Sequence, residues 1–205
     1  QNSDSKKQLR FEYASKIVDG TIDIHRCVFI DESGFNYWMR RSFGRSEIGS
    51  RCYWNCPTQG GKNISLCLAI CIGGAIHYNI REGSFNREAF QIFINELSEI
   101  VGHNRLFFVV DNCRIHYGIT LPYPEHSLIY LPPYSPMLNS IESVFSFLKS
   151  KIKSKIAMDF ANATEIKRNK FDQMKAYIED SINPLINYIL VPYYKHCMTF
   201  IESCL

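Results

Sequence analysis

The chain has 205 residues, 46% hydrophobic and 21% charged. These are ordinary globular values, which exclude disorder or low complexity as the dominant state. That length buries a sizeable core without disulfides or metal staples, and suits one domain or one domain with a small appendage. No apolar run approaches the ~18 residues needed for a membrane-spanning helix. The net charge of +3 selects no partner by itself.

In chain order, QNSDSKKQLR has no apolar segment after its charges and is no signal peptide. The missing initiator Met suggests a fragment of a longer protein. Residues 5–18 read as a polar helix. RCVFIDES (26–33) is a short strand run ending in acids, and the Arg-rich text after it reads as an exposed hairpin or loop. NISLCLAICIGG and AIHYNIREGS read as a hairpin joined at Gly73-Gly74. NREAFQIFINELSEIV has helical spacing, with Asn86 as its N-cap. LFFVVDN (106–112) and SLIYLPP (127–133) are two more short strands. Residues 138–156 form a helix with apolar positions 141, 144, 145, 148 and 152. The text over 160–204 reads as one or two helices interrupted near Pro184 and Pro192. The class is α/β with a mixed sheet.

Asp31 and Asp111 are each the first polar residue after a buried-type strand. Sites gather at strand ends in open α/β sheets. If the two strands lie side by side, the carboxylates meet. One then stays protonated unless a cation intervenes. Oxygen donors of this kind select Mg²⁺ or Mn²⁺, and two such ions form a clamp for phosphodiester cleavage. A strand-end Asp serves equally as a loop or helix cap. Glu142, in the first turn of the 138–156 helix, is a third acid, and a Glu there also suits the helix dipole.

Two basic groups stand out. One is Arg40, Arg41, Arg45, Arg51 and Lys62; the other runs from Lys149 to Lys170. Both are compatible with a polyanion and equally with solvated surface. Arg pairs bidentately with phosphate, so Arg40, Arg41, Arg45 and Arg51 are candidate DNA contacts. Lys149, on the Glu142 face of its helix, is another. Trp38, Tyr53 and Trp54 are either base-stacking or hairpin-packing aromatics. Eight cysteines without a secretory signal suggest a reduced compartment. Cys52, Cys56, Cys67 and Cys71 leave open a zinc-stabilised interaction module.

Three motifs carry a family resemblance: FIDESGF (29–35), VVDNCRIHYG (109–118) and LPPYSPMLNSIESVFSFLKSKIK (131–153). Together they resemble the catalytic domain of mariner-like DDE transposases, whose superfamily includes bacterial insertion-sequence transposases. Asp31, Asp111 and Glu142 match that family's metal-binding catalytic triad. Asn112 and His116 match the residues after the second Asp, and Asn139 falls within the third motif. The resemblance implies an RNase H-like fold with a C-terminal helical extension. Its divisions are a linker helix over 1–20 from a missing DNA-binding region, a catalytic domain over 21–157 and the extension over 158–205. It also implies two divalent ions, hydrolytic nicking of double-stranded DNA at transposon ends and 3′-hydroxyl strand transfer. A homodimer on DNA is a further implication. A eukaryotic host, favoured here, would place the protein in the nucleus. Met137 and Ser140 depart from the family's Asp and Pro, and the 118–127 stretch is short and proline-bearing. A domesticated or decayed copy without catalysis is therefore the rival reading.

Overall fold

The computed structural model describes residues 3–39, 44–53, 63–161 and 170–205, without the side chains of 160 and 161. Five strands form one sheet: β1 (Cys27–Phe35), β2 (Ile64–Cys71), β3 (Gly74–Glu82), β4 (Phe107–Val110) and β5 (Ser127–Tyr130). Their order is β3-β2-β1-β4-β5. The β1–β2 and β2–β3 pairs are antiparallel, whereas β1–β4 and β4–β5 are parallel. A mixed sheet follows because β2 and β3 are joined by a tight turn, while each parallel step needs a crossover.

Strand parity sorts the core into two layers. Val28, Ile30, Phe108 and Val110 face helix α2 (Arg87–Val101) through Phe90, Phe93, Ile94 and Leu97. Cys27, Phe29, Phe107 and Val109 face the opposite layer. That layer holds α1 (Asp4–Val18), α3 (Ser140–Ala161), α4 (Lys170–Ile182) and α5 (Val191–Glu202). Asn86 caps α2 as its spacing predicts, its Oδ1 accepting from the Ala89 N–H at 2.9 Å. Among the described residues, no helix is long and apolar enough to cross a membrane.

Several boundaries differ from expectation. β1 does not end at Asp31 but continues to Phe35, because β2 goes on pairing with it from Asp31↔Leu68 to Phe35↔Ile64. No strand occurs over 44–53, so the described part of the expected hairpin is loop. The α-helices are interrupted between Ile182 and Val191, near Pro184 and Pro192 as expected, but Pro192 does not itself break one. It sits in the first turn of α5, where a missing N–H costs nothing. Helix α3 runs past residue 157 to Ala161. The helices beyond it bury Met174, Ile178, Ile182, Leu190, Tyr194 and Ile201 in the same core as Phe29 and Leu148. Helix α1 joins that core through Tyr13, Ala14 and Ile17.

Candidate active site

The β1–β4 ladder pairs Cys27 with Phe107, Val28 with Phe108 and Phe29 with Val109. Continued two residues, the same register sets Asp31 beside Asp111. Both acids follow the parity of Phe29 and Val109, so they emerge on the α3 side of the sheet. Apolar side chains below them in each strand hold both positions rigid. Glu142 arrives from the first turn of α3. The three acids line one cleft of 490 Å³, together with Asn112, Cys113, Asn139 and the 131–136 loop.

Asn139 connects the helix to the strand. Its backbone carbonyl accepts from the Glu142 N–H at 3.2 Å, opening the helical ladder. Its Oδ1 accepts from the Ile141 N–H at 3.4 Å, and its Nδ2 donates to Asp31 Oδ2 at 3.0 Å. One buried side chain thereby caps α3 and sets the orientation of Asp31. Asn112 donates from Nδ2 to the Leu131 carbonyl, tying the end of β4 to the end of β5.

His116 lies behind Asp111 and is fully buried. Its Nδ1 meets Asp111 Oδ1 at 2.8 Å, and its Nε2 meets Glu32 Oε2 at 3.2 Å. Its ring packs against Phe90 at 4.3 Å. Burial opposes the imidazolium, yet hydrogen bonds with Asp111 and Glu32 outweigh it and raise the His116 pKa to about 10. At neutral pH both ring N–H groups therefore donate, and Asp111 and Glu32 accept. The His116 hydrogen bond in turn holds the Asp111 carboxyl below its usual range. Asp31 moves the other way. Burial, then the charges of Asp111 and Glu32, raise it to about 8.

Glu32 was absent from the sequence-derived site. The signal was present, since it neighbours Asp31 in a strand. Strand parity sends it to the opposite face, where Cys67 Sγ donates to it at 3.5 Å. It reaches the site through its hydrogen bond with His116 and through its charge, which acts on Asp31.

Asp31, Asp111, Glu142, Asn112 and Asn139 thus share one cleft, with His116 behind it. Lys149 does not join them. Its ammonium lies 5.9 Å from the Phe35 ring, beyond the cleft lining. Arg45 and Arg51 are exposed on the 44–53 loop, whereas Arg40, Arg41, Lys62 and Trp54 lie outside the described residues. Trp38 is half-buried, with the Lys170 ammonium 4.7 Å from its ring, and packs against the core. Of the proposed zinc cysteines, Cys56 lies outside the described residues, Cys52 is exposed and Cys67 is buried in β2. Among the described residues, no three His, Cys, Asp or Glu side chains stand close enough together to grip one ion. The donor set nevertheless suits a hard divalent cation. Three carboxylates line one cleft; burial first, and then the charges of Asp111, Glu32 and Glu142, raise Asp31, and a cation in the cleft would offset that repulsion.

Comparison with known proteins fits this geometry. No curated protein matches the chain. Among solved structures, the Mos1 strand transfer complex is similar at 15% identity and a TM-score of 0.71, covering 100% of this chain and 62% of that one. The catalytic domain of Mos1 mariner transposase is similar at 14% identity and 0.65, covering 100% and 94%. The Mos1 catalytic domain with Raltegravir and Mn matches at 15% and 0.67, covering 100% and 94%. The chain therefore spans under two thirds of the Mos1 chain in the strand transfer complex and nearly all of the isolated catalytic domain. These likenesses establish an RNase H-like fold with C-terminal helices. The family model described as DDE superfamily endonuclease matches residues 26–165. Two thirds of the sequence thus carries that family's pattern, and the chain belongs to the DDE superfamily endonucleases.

Proposed function

We propose that this chain is the catalytic domain of a metal-dependent DNA transposase. It would hydrolyse phosphodiester bonds at transposon ends and join the freed 3′-hydroxyl to target DNA. The observation that carries this reading is the placement of Asp31 and Asp111 side by side, with Glu142 on the same cleft. Solved Mos1 complexes with transposon ends lend support, as do Mos1 catalytic domains determined with Mg and Mn.

Asp31, Asp111 and Glu142 would hold two Mg²⁺ or Mn²⁺ ions, whose contribution would be Lewis-acid activation of the attacking oxygen and neutralisation of phosphate charge. The chain's own residues set the geometry for this. Asn139 restrains Asp31 from the mouth of α3, and His116 restrains Asp111 from behind. With both ring nitrogens donating, His116 keeps the Asp111 carboxyl ionised and presents its second oxygen to the cleft. The exposed Arg45 and Arg51, together with Arg40 and Arg41, would add phosphate contacts whose strength falls with salt. The protein would act as a homodimer on paired DNA ends, in the nucleus of a eukaryotic cell.

The test is nicking of supercoiled plasmid with Mn²⁺, comparing this chain with Asp111→Ala. Metal-dependent nicking that drops by at least 100-fold, roughly 3 kcal/mol of transition-state stabilisation, is expected. Equal nicking by both proteins would overturn the assignment. A folded chain that binds DNA but neither nicks it nor binds Mn²⁺ would favour the domesticated reading.

A further inference from the structure

Tyr134 is the one described residue other than glycine with a positive φ, at 56°. Such a conformation is rare for a bulky side chain, and strain of this kind persists where the surroundings enforce it. The enforcement is visible here. Arg10, reaching across from α1, donates from Nη2 to the Tyr134 carbonyl at 3.0 Å and from Nε to Ser135 Oγ at 2.8 Å. Ser135 Oγ donates on to the Pro133 carbonyl at 3.2 Å. The peptide is pinned from both sides, yet the ring it carries is not packed away. It is 66% exposed and lines the same cleft as Asp31, Asp111 and Glu142. The Lys6 ammonium stands 4.2 Å from its centroid. A rigidly presented, solvated aromatic beside three acids, with a cation against one face, offers the other face to a flat apolar group joined to a phosphate.

We propose that Tyr134 is a stacking platform for a nucleobase next to the scissile phosphate, and that Lys6 meets the adjoining backbone. This rests on the DNA reading above and adds a contact to it. A base held on Tyr134 would fix the strand against the acids, so the loop before α3 would position substrate as well as deliver Glu142. Helix α1 shares in this, because Arg10 and Lys6 set the ring. Stacking is tolerant of sequence, since every base has a π-face, so the platform would grip DNA without choosing its bases.

The alternative is that the positive φ serves only to turn the chain from β5 into α3. Glycine separates the two roles, since it adopts this φ freely and has no ring. The experiment uses the full chain with a duplex oligonucleotide carrying a short single-stranded overhang. The overhang holds a fluorescent adenine analogue, and Mn²⁺ is present. Binding by the parent should quench the analogue. Tyr134→Phe should keep affinity and quenching. Tyr134→Gly should melt at or above the parent temperature, yet lose the quenching and bind roughly 5- to 150-fold more weakly. Tyr134→Ala should bind as weakly as the glycine variant. A folded glycine variant that binds and quenches like the parent overturns the proposal. Loss of folding in both the glycine and alanine variants also overturns it, by assigning the ring to the fold. A parent that binds no DNA under any salt condition instead defeats the transposase reading itself.

Discussion

Asp31 and Asp111 are the same residue type in matching strand positions, yet their surroundings drive their protons apart. Asp111 accepts from His116 and stays ionised. Asp31 is deeper, feels the charges of Asp111 and Glu32 as well as its burial, and is raised to about 8. The folded chain therefore holds the Asp31 proton more tightly than the unfolded chain, whose aspartates ionise near ~3.9. The stability this group contributes is complete below about pH 4 and is lost as pH rises through about 8. Asp31→Asn removes that loss. In EDTA at pH 9 the variant should melt above the parent, by about 2–4 °C for each kcal/mol relieved. The gap should narrow toward pH 4. Thermal melts across that range check this, and coincident curves at pH 9 would show that Asp31 bears no such cost.

At the scale of elements, the turn between β2 and β3 does more than reverse the chain. Gly74 has φ of 135°, and a Cβ there would lie 2.5 Å from the Leu185 carbonyl oxygen and 2.8 Å from that of Ile186. The turn is therefore packed against the backbone that leads into α5. The Ile72 carbonyl also accepts from the Leu190 N–H at 2.8 Å. Gly74→Ala meets backbone on one side and a disallowed φ on the other, so neither can relax cheaply. It should destabilise by about 2–3 kcal/mol, measured as a fall of several degrees in melting temperature. A neutral substitution would mean that the C-terminal segment moves away from the turn at little cost. The hairpin was legible from the Gly73-Gly74 dipeptide, although the turn itself is Ile72-Gly73 and Gly74 opens β3 opposite Cys71; the reason for a glycine at 74 lies more than 100 residues away.

Across the whole molecule, one core layer binds the sheet to the C-terminal helices. Tyr194 packs edge-on against Phe29 at 5.4 Å, and its hydroxyl donates to the Cys27 carbonyl at 3.1 Å. This is the base of the strand that bears Asp31. The extension is thus the cover of one sheet face. A chain ended at residue 157 would expose Phe29, Ile141, Val144 and Leu148, with about 25 cal/mol lost per Å² of apolar surface uncovered. It should lack a cooperative thermal transition and bind a hydrophobic dye at room temperature. A cooperative melt near that of the full chain would show instead that the two parts fold independently.

Sequence by itself determined most of the strands and helices, though not their ends, together with the strand-borne acids and the family. Apolar periodicity, strand runs and the three motifs are local, and each is written in consecutive residues. It also named Asp31, Asp111, Glu142, Asn112, His116 and Asn139, which the fold gathers at one place. Tertiary structure alone decided where each stands and what it touches there. Only the β1–β4 register sets the two aspartates abreast, and only the ladder with β2 carries β1 past Asp31. Strand parity separates Asp31 from Glu32, but which face is cleft depends on where α3 and α2 pack. The histidine relay joins residues 84 positions apart, and the Arg10 clamp spans 124. No local pattern encodes such pairings, because they arise from packing distant segments over a shared core.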